Sequence, residues 1–152
     1  MTTQQARELA RGYYAKAGII LTESESENIE VADFGLNDLA NTGLQIVTYI
    51  NTERCCAKEM VLFPDQMCPE HLHPPVNGND GKEETFRCRF GTVYLYIDGK
   101  NDAIVLNPGE QYTIFPNTKH WFKAGANGAV VSEFSTRSVD KADIFTNPNI
   151  IR

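Results

Sequence analysis

Between residues 44 and 134 a turn-forming cluster interrupts the chain about every ten residues, and this punctuation limits the available folds more than any other property. The runs between the turns (44–51, 55–63, 93–97, 103–106, 111–115 and 129–134) are rich in β-branched and aromatic residues. They are also too short to be helices. A polar turn at 51–54 joins the first two as a hairpin, and Asp98-Gly99 is a two-residue hairpin signal. Asn107-Pro108-Gly109-Glu110 and Pro116-Asn117-Thr118 mark further reversals. Short strands at this spacing predict an all-β sandwich or barrel with its core over 44–136. The N-terminus departs from the pattern. Thr2 or Thr3 can cap a helix within residues 1–20 whose apolar positions Ala6, Leu9, Ala10, Tyr13, Tyr14 and Ala17 fall at helical spacing, with Gly18 as its stop. This helix is expected to pack on the barrel or on a second subunit. Residues 23–28, acidic and without an apolar period, predict an exposed connector.

Within this frame the stretch Pro69-Glu70-His71-Leu72-His73 carries chemistry. Residues two apart on a strand share a face, so His71 and His73 can aim their imidazoles at one point. A loop dense in turn formers, 74–81, then returns the chain to Glu84, which opens a second strand pattern expected to end at Gly91. That loop could cover the site as a lid or be a plain surface loop. Two imidazoles and a carboxylate suit a divalent ion such as Mn, Fe, Co, Ni or Zn, and His120 is the one histidine left to complete the set. Cys68 has the wrong strand parity to join, and Glu70 and Glu83 point away for the same reason.

Other function classes find little support. At 152 residues the chain predicts one domain, residues 1–152, able to bury a core without staples. The formal net charge of −6 argues against nucleic acid and anionic membrane surfaces as partners. No long apolar run or secretory leader is visible, so the expected location is the cytoplasm, with Cys55, Cys56, Cys68 and Cys88 as free thiols. No phosphate-cradling glycine loop or nucleophile-elbow serine is found.

Taken together, the segments PEHLHPP, GKEETFRCRFG, PGEQYTIFPNTKHWF and VVSEFSTRS, with DIFTNP behind them, resemble the cupin-type D-lyxose ketol-isomerase family in its short form. The likeness runs from about Lys58 to the C-terminus. It implies a cupin, a double-stranded β-helix or jelly-roll barrel, with an N-terminal helix. The family's metal ligands fall on His71, His73, Glu84 and His120. The implied activity is interconversion of D-lyxose and D-xylulose, often with D-mannose and D-fructose as well, with a sugar as the partner; a barrel with a flanking helix is separately expected to pair as a homodimer. Mn(II) is the ion expected, with Zn(II) or Co(II) as substitutes. Four departures from the usual pattern stand out. Ten residues separate His73 from Glu84, Asp65 replaces a glycine ahead of the first histidine, Pro116 lies one residue closer to His120, and the hairpin between Tyr96 and Gly109 is short.

Such an isomerase moves a proton between C1 and C2 of an open-chain sugar through a metal-stabilised enediolate, and so needs a base beside the ion. Glu133, on a strand among apolar residues, is the leading candidate; a structural pairing with Arg137 or Arg89 is the other reading. Lys82 could stabilise the oxyanion or shuttle a proton, or be a solvated loop lysine. Tyr94, Tyr96, Trp121 and Phe122 are core or sugar-stacking candidates. The competing functions are a phosphosugar isomerase, which needs a phosphate cradle from residues such as Arg87, Arg89, Arg137 and Lys123, an Fe(II) oxygenase, and a non-catalytic sugar-binding cupin.

Overall fold

Helix α1, Thr3–Lys16, begins with a capping box: Thr2 accepts from the Gln5 amide, and the Gln5 side chain accepts from the Thr2 amide at 2.8 Å. It is seen in a computed structural model that describes residues 1–152. Ala6, Ala10, Tyr13 and Tyr14 are buried against Val47, Val61, Phe63 and Val130 on the outside of the sheet. The Tyr14 hydroxyl lies 2.9 and 2.8 Å from the carbonyl oxygens of Gln45 and Glu59, tying the helix to two strands at once. Leu9 corrects the expected apolar face. It is 44% exposed, because the four small and aromatic residues fill the contact and leave it on the flank. The acidic connector is also corrected: residues Glu23–Glu27 form a one-turn helix, α2, started by a second capping box between Thr22 and Glu25.

Nine strands follow: β1 Glu30–Ala32, β2 Leu44–Asn51, β3 Cys56–Leu62, β4 Met67–Leu72, β5 Glu84–Ile97, β6 Ile104–Leu106, β7 Gln111–Ile114, β8 His120–Ser135 and β9 Ile144–Phe145. All pair antiparallel in the order β1-β2-β3-β8-β4-β9, and β5 pairs with β6, β7 and β8. β8 organises the roll. Its first turn of residues pairs with β4, its last seven with β3, and nearly its whole length with β5. The resulting barrel encloses a core that includes Leu44, Met60, Leu62, Phe86, Leu95 and Phe122. The expected architecture, an all-β cupin barrel with a helix at its N-terminal end, is the one found.

Two expected strand ends are overturned. β5 runs through Gly91, and the two runs about Gly128 are one strand, β8. Both glycines have positive φ, +71° and +76°, and a Cβ on Gly91 would lie 2.0 Å from the Gly128 carbonyl oxygen. The β5–β8 register slips on either side of Gly91, between Cys88 and Phe90 and between Gly91 and Val93, and the second slip takes in Gly128, so two long strands bend around the barrel without ending. Asp65 also has positive φ, +59°, so the left-handed turn that the family's glycine would suit is kept here by an aspartate. The four cysteines are unpaired, with only Cys55 exposed. No helix is long and apolar enough to cross a membrane.

Candidate metal centre

The barrel brings the three histidines together through strand register. His71 on β4 and His120 on β8 are direct cross-strand partners, so their side chains leave the sheet on the same face. His73, two residues past His71, shares that face. The ring centroids lie 4.8 Å (His71 to His73), 4.4 Å (His71 to His120) and 5.4 Å (His73 to His120) apart, and ligand atoms of the three fall within 4.8 Å of one another. Glu84, first residue of β5, enters the same point with Oε1 2.9 Å from His120 Nε2 and 3.3 Å from His73 Nε2. Those separations match neighbouring ligands around an ion about 2.1 Å from each.

Each imidazole is oriented through its other nitrogen. Nδ1 of His71 donates to the Pro69 carbonyl at 2.7 Å, that of His120 to the Thr118 carbonyl at 2.9 Å, and that of His73 to Asp143 Oδ1 at 2.6 Å. With Nδ1 the donor in each ring, all three Nε2 atoms face inward, where a bound ion would meet their lone pairs. His73 Nε2, His120 Nε2 and both Glu84 oxygens are buried without a well-formed hydrogen bond. Buried polar atoms rarely lack partners, and with Glu84 Oε2 turned to Lys82 the other three converge, so the donor set fits a divalent cation.

The structure also overturns both bland readings of the neighbouring charges. Lys82 is buried, not solvated, and its Nζ sits 3.0 Å from Glu84 Oε2 and 2.9 Å from Glu133 Oε2. Glu133 pairs with that lysine, not with an arginine: Arg137 goes to Glu53 and Arg89 to Ser132. Glu133 faces the interior beside Lys58, its partner on β3, and Lys58 reaches Asp140 at 3.4 Å. Electrostatics then divide the two carboxylates. Burial alone would raise both, but Lys82 and His73 outweigh it at Glu84 and hold that group well below the ordinary range. At Glu133 burial, aided by the charge on Glu84, outweighs Lys82 and pushes the group up. Burial works against the charged forms of Lys82 and His73, yet the surrounding carboxylates raise both, His73 to about 9. Burial and the two other imidazoles push His71 well down.

Two cavities meet at this point. The inner one, about 40 Å³, is bordered by His71, Glu84, Glu133 and Lys58. The outer one, about 560 Å³, lies between loop 74–83 and segment 136–143. His73, Lys82 and Asp143 border both and so form the partition between them. The chemistry belongs to the small inner cavity, where the ligand atoms are; the large one is its vestibule. Of the aromatic candidates, Phe122 is core, packed on Phe86, while Tyr96 and Trp121 stack on each other at 3.8 Å and do not border either cavity.

Residue-level reading of the sequence missed Asp143, Phe145, Lys58 and Asp140. Phe145 packs on His71 with ring centroids 5.3 Å apart, and Asp143 anchors His73. The segment that carries both was visible as DIFTNP, but nothing local in it points toward histidines 70 residues earlier.

Comparison with known proteins agrees with this geometry. No family model matches the chain. It is 60% identical to the D-lyxose/D-mannose isomerase of Thermosediminibacter oceani over 156 residues, covering 90% of this chain and 86% of that protein. It is 56% identical to the D-lyxose ketol-isomerase of Cohnella laeviribosi, covering 98% of this chain and 92% of that protein. That alignment spans 168 positions against a chain of 152 residues, so the relative carries residues omitted here. In structure the chain is similar to the L-ribose isomerase of Acinetobacter sp. DL28 in complex with L-ribose, with a TM-score of 0.78, 14% identity, and coverage of 96% and 91% of the two chains. That likeness bears on the fold.

Proposed function

The chain belongs to the D-lyxose ketol-isomerase family, and from that premise we propose that it is a metal-dependent aldose–ketose isomerase acting on D-lyxose and D-xylulose, with D-mannose and D-fructose as further substrates. The observation that carries the reading is the convergence of three Nδ1-anchored imidazoles and one ionised carboxylate beside a second buried carboxylate. His71, His73, Glu84 and His120 would hold one divalent ion, Mn(II) foremost, with Zn(II) or Co(II) as substitutes. Bound there, the ion would act as a Lewis acid where negative charge develops on the sugar's O1 and O2.

The chain's own residues supply the rest. Glu133, buried and raised in pKa, is the general base that takes the proton from C2 of the open-chain aldose and returns it to C1, while the O2 hydroxyl proton passes to O1 and C2 becomes the carbonyl carbon. Lys82 fixes Glu133 from one side and Glu84 from the other, and keeps Glu133 available as a carboxylate before the transfer. Its ammonium also lies on the partition, where it can meet an oxygen of an entering sugar. The vestibule is of a size that holds a pentose or hexose chain.

A phosphosugar is disfavoured by the vestibule's charge. Arg137 there is paired with Glu53 and Lys82 with two carboxylates, which leaves Arg54 as the one unpaired cation against the negative charge of Asp80, Glu83 and Asp143. The reading includes a single domain over 1–152, a homodimer and a cytoplasmic location, the oligomer to be checked by light scattering. The deciding experiment assays metal-free protein, reloaded in turn with Mn, Co, Ni, Zn and Mg, on a panel of pentoses and hexoses. Ketose formation from D-lyxose only in metal-loaded samples supports the proposal. Oxygen uptake by iron-loaded protein, or no turnover with any metal, rejects it.

A further inference from the structure

The three imidazoles are not anchored alike. His71 and His120 each donate Nδ1–H to the carbonyl two residues earlier in the chain, so these anchors are local to the histidines' own strand segments. His73 lies one residue past the end of β4, where the chain leaves the sheet at Pro74, and it has no such local support. Its Nδ1 partner is a side chain 70 residues away, Asp143, at 2.6 Å and with only 8% of that side chain exposed. The segment after Asp143 is stitched along β4: Phe145 pairs with His71, Ile144 with Leu72, and the Thr146 amide donates to the Glu70 carbonyl at 3.1 Å. Asp143 is therefore held in place independently of the bond it makes to His73.

Building on the metal-centre reading above, we propose that Asp143 is a positioning residue of that centre: its carboxylate fixes the tautomer and ring orientation of His73, so that the C-terminal segment forms part of the ligand sphere's support. A carboxylate behind a ligating histidine orients the ring and raises its donor strength, and its removal typically weakens metal binding by about 10- to 100-fold. Because Asp143 also borders both cavities, the same side chain walls the passage between vestibule and ion.

The test uses the full chain and Co(II), with affinity measured by chelator competition and ligand geometry read from the Co(II) visible spectrum. Asp143→Ala should lose about 10- to 100-fold in affinity and change the spectrum. Asp143→Asn, which keeps an oxygen acceptor for Nδ1–H, should restore most of both. Thr146→Val removes the hydroxyl contact to Glu70 on the same segment, which touches no histidine, and should bind Co(II) as the wild type does. Wild-type affinity and spectrum in Asp143→Ala overturn the proposal, as does an equal loss in Thr146→Val, which would assign the effect to docking of the segment. Asn as weak as Ala overturns the hydrogen-bond role. A wild-type protein that takes up no Co(II) overturns the metal centre and this proposal together, whereas wild-type uptake with an indifferent Asp143→Ala sinks this proposal alone.

Discussion

Raising the pH from 7 to 9 should tighten Mn(II) binding by the metal-free protein by about two decades. The reasoning starts at His73. Burial disfavours its charged form, but Glu84 Oε1 at 3.3 Å and Asp143 Oδ1 at 2.6 Å outweigh burial and raise it to about 9. Its Nε2 must give up a proton before it can bind an ion, so each pH unit below 9 lowers affinity tenfold, or about 1.4 kcal/mol. At pH 7 the handicap is about two decades of affinity. A histidine at its ordinary value would give a nearly flat profile over this range. The sign for the fold is the reverse: a raised folded-state pKa means that the proton stabilises the metal-free protein. That contribution, about 3 kcal/mol, is fully present below pH 6.5 and is lost as pH rises through about 9. Free Mn(II) measured by its paramagnetic resonance signal gives the affinity, and urea unfolding of the metal-free protein gives the stability. A slope of zero in log affinity between pH 7 and 9, or metal-free stability that does not fall over that interval, would refute the argument.

Glu133→Gln should keep metal and sugar binding but lose about two to four decades of turnover, and wild-type D-xylulose formed in deuterated water should carry deuterium at C1; near-normal turnover in the variant removes Glu133 as the base. Lys82→Met leaves Glu84 and Glu133 buried without their shared cation and should cost the metal-free protein about 3–5 kcal/mol, part of which saturating Mn(II) restores. Urea unfolding with and without the ion checks this, and unchanged stability would count against it. Asp65→Gly relieves a residue held at φ +59° and should raise the urea midpoint, by up to about 1 kcal/mol in stability; a lower midpoint would mean that the aspartate's own contacts outweigh the strain.

The parts of the fold legible in the sequence were those governed by local rules. Turn chemistry located the β2–β3 and β5–β6 hairpins, and a threonine cap, Thr2 or Thr3, set the start of α1, which the structure assigns to Thr2. Period-2 parity placed His71 and His73 on one face and turned Glu70 and Glu83 away from it. The misreadings share a cause. Gly91 and Gly128 read as strand ends because a glycine looks the same locally whether it stops a strand or bulges it; only their mutual approach across β5 and β8 distinguishes the two. β1 and β9 are two or three residues long and become strands only because β2 and β4 offer edges to them.

Lys82 and Asp143 mark the limit of what residue-by-residue inspection can reach. A lysine on a Gly/Asn-rich loop costs nothing when solvated, so its sequence context favours the surface. Its burial is dictated by two carboxylates on different strands, Glu84 and Glu133, whose shared interior would otherwise hold two unscreened negative charges. Asp143 is the same case with the sign reversed: an acidic residue in a short exposed-looking tail is buried where its carboxylate meets Nδ1 of His73, which lies beyond the end of its strand. Both residues complete the charge and hydrogen-bond requirements of groups that the sequence had already singled out. Once His71, His73, Glu84 and Glu133 are known to point inward, the physical demand is for one cation between the carboxylates and one acceptor behind the third imidazole. The sequence states that demand; only the closed barrel shows which residues meet it.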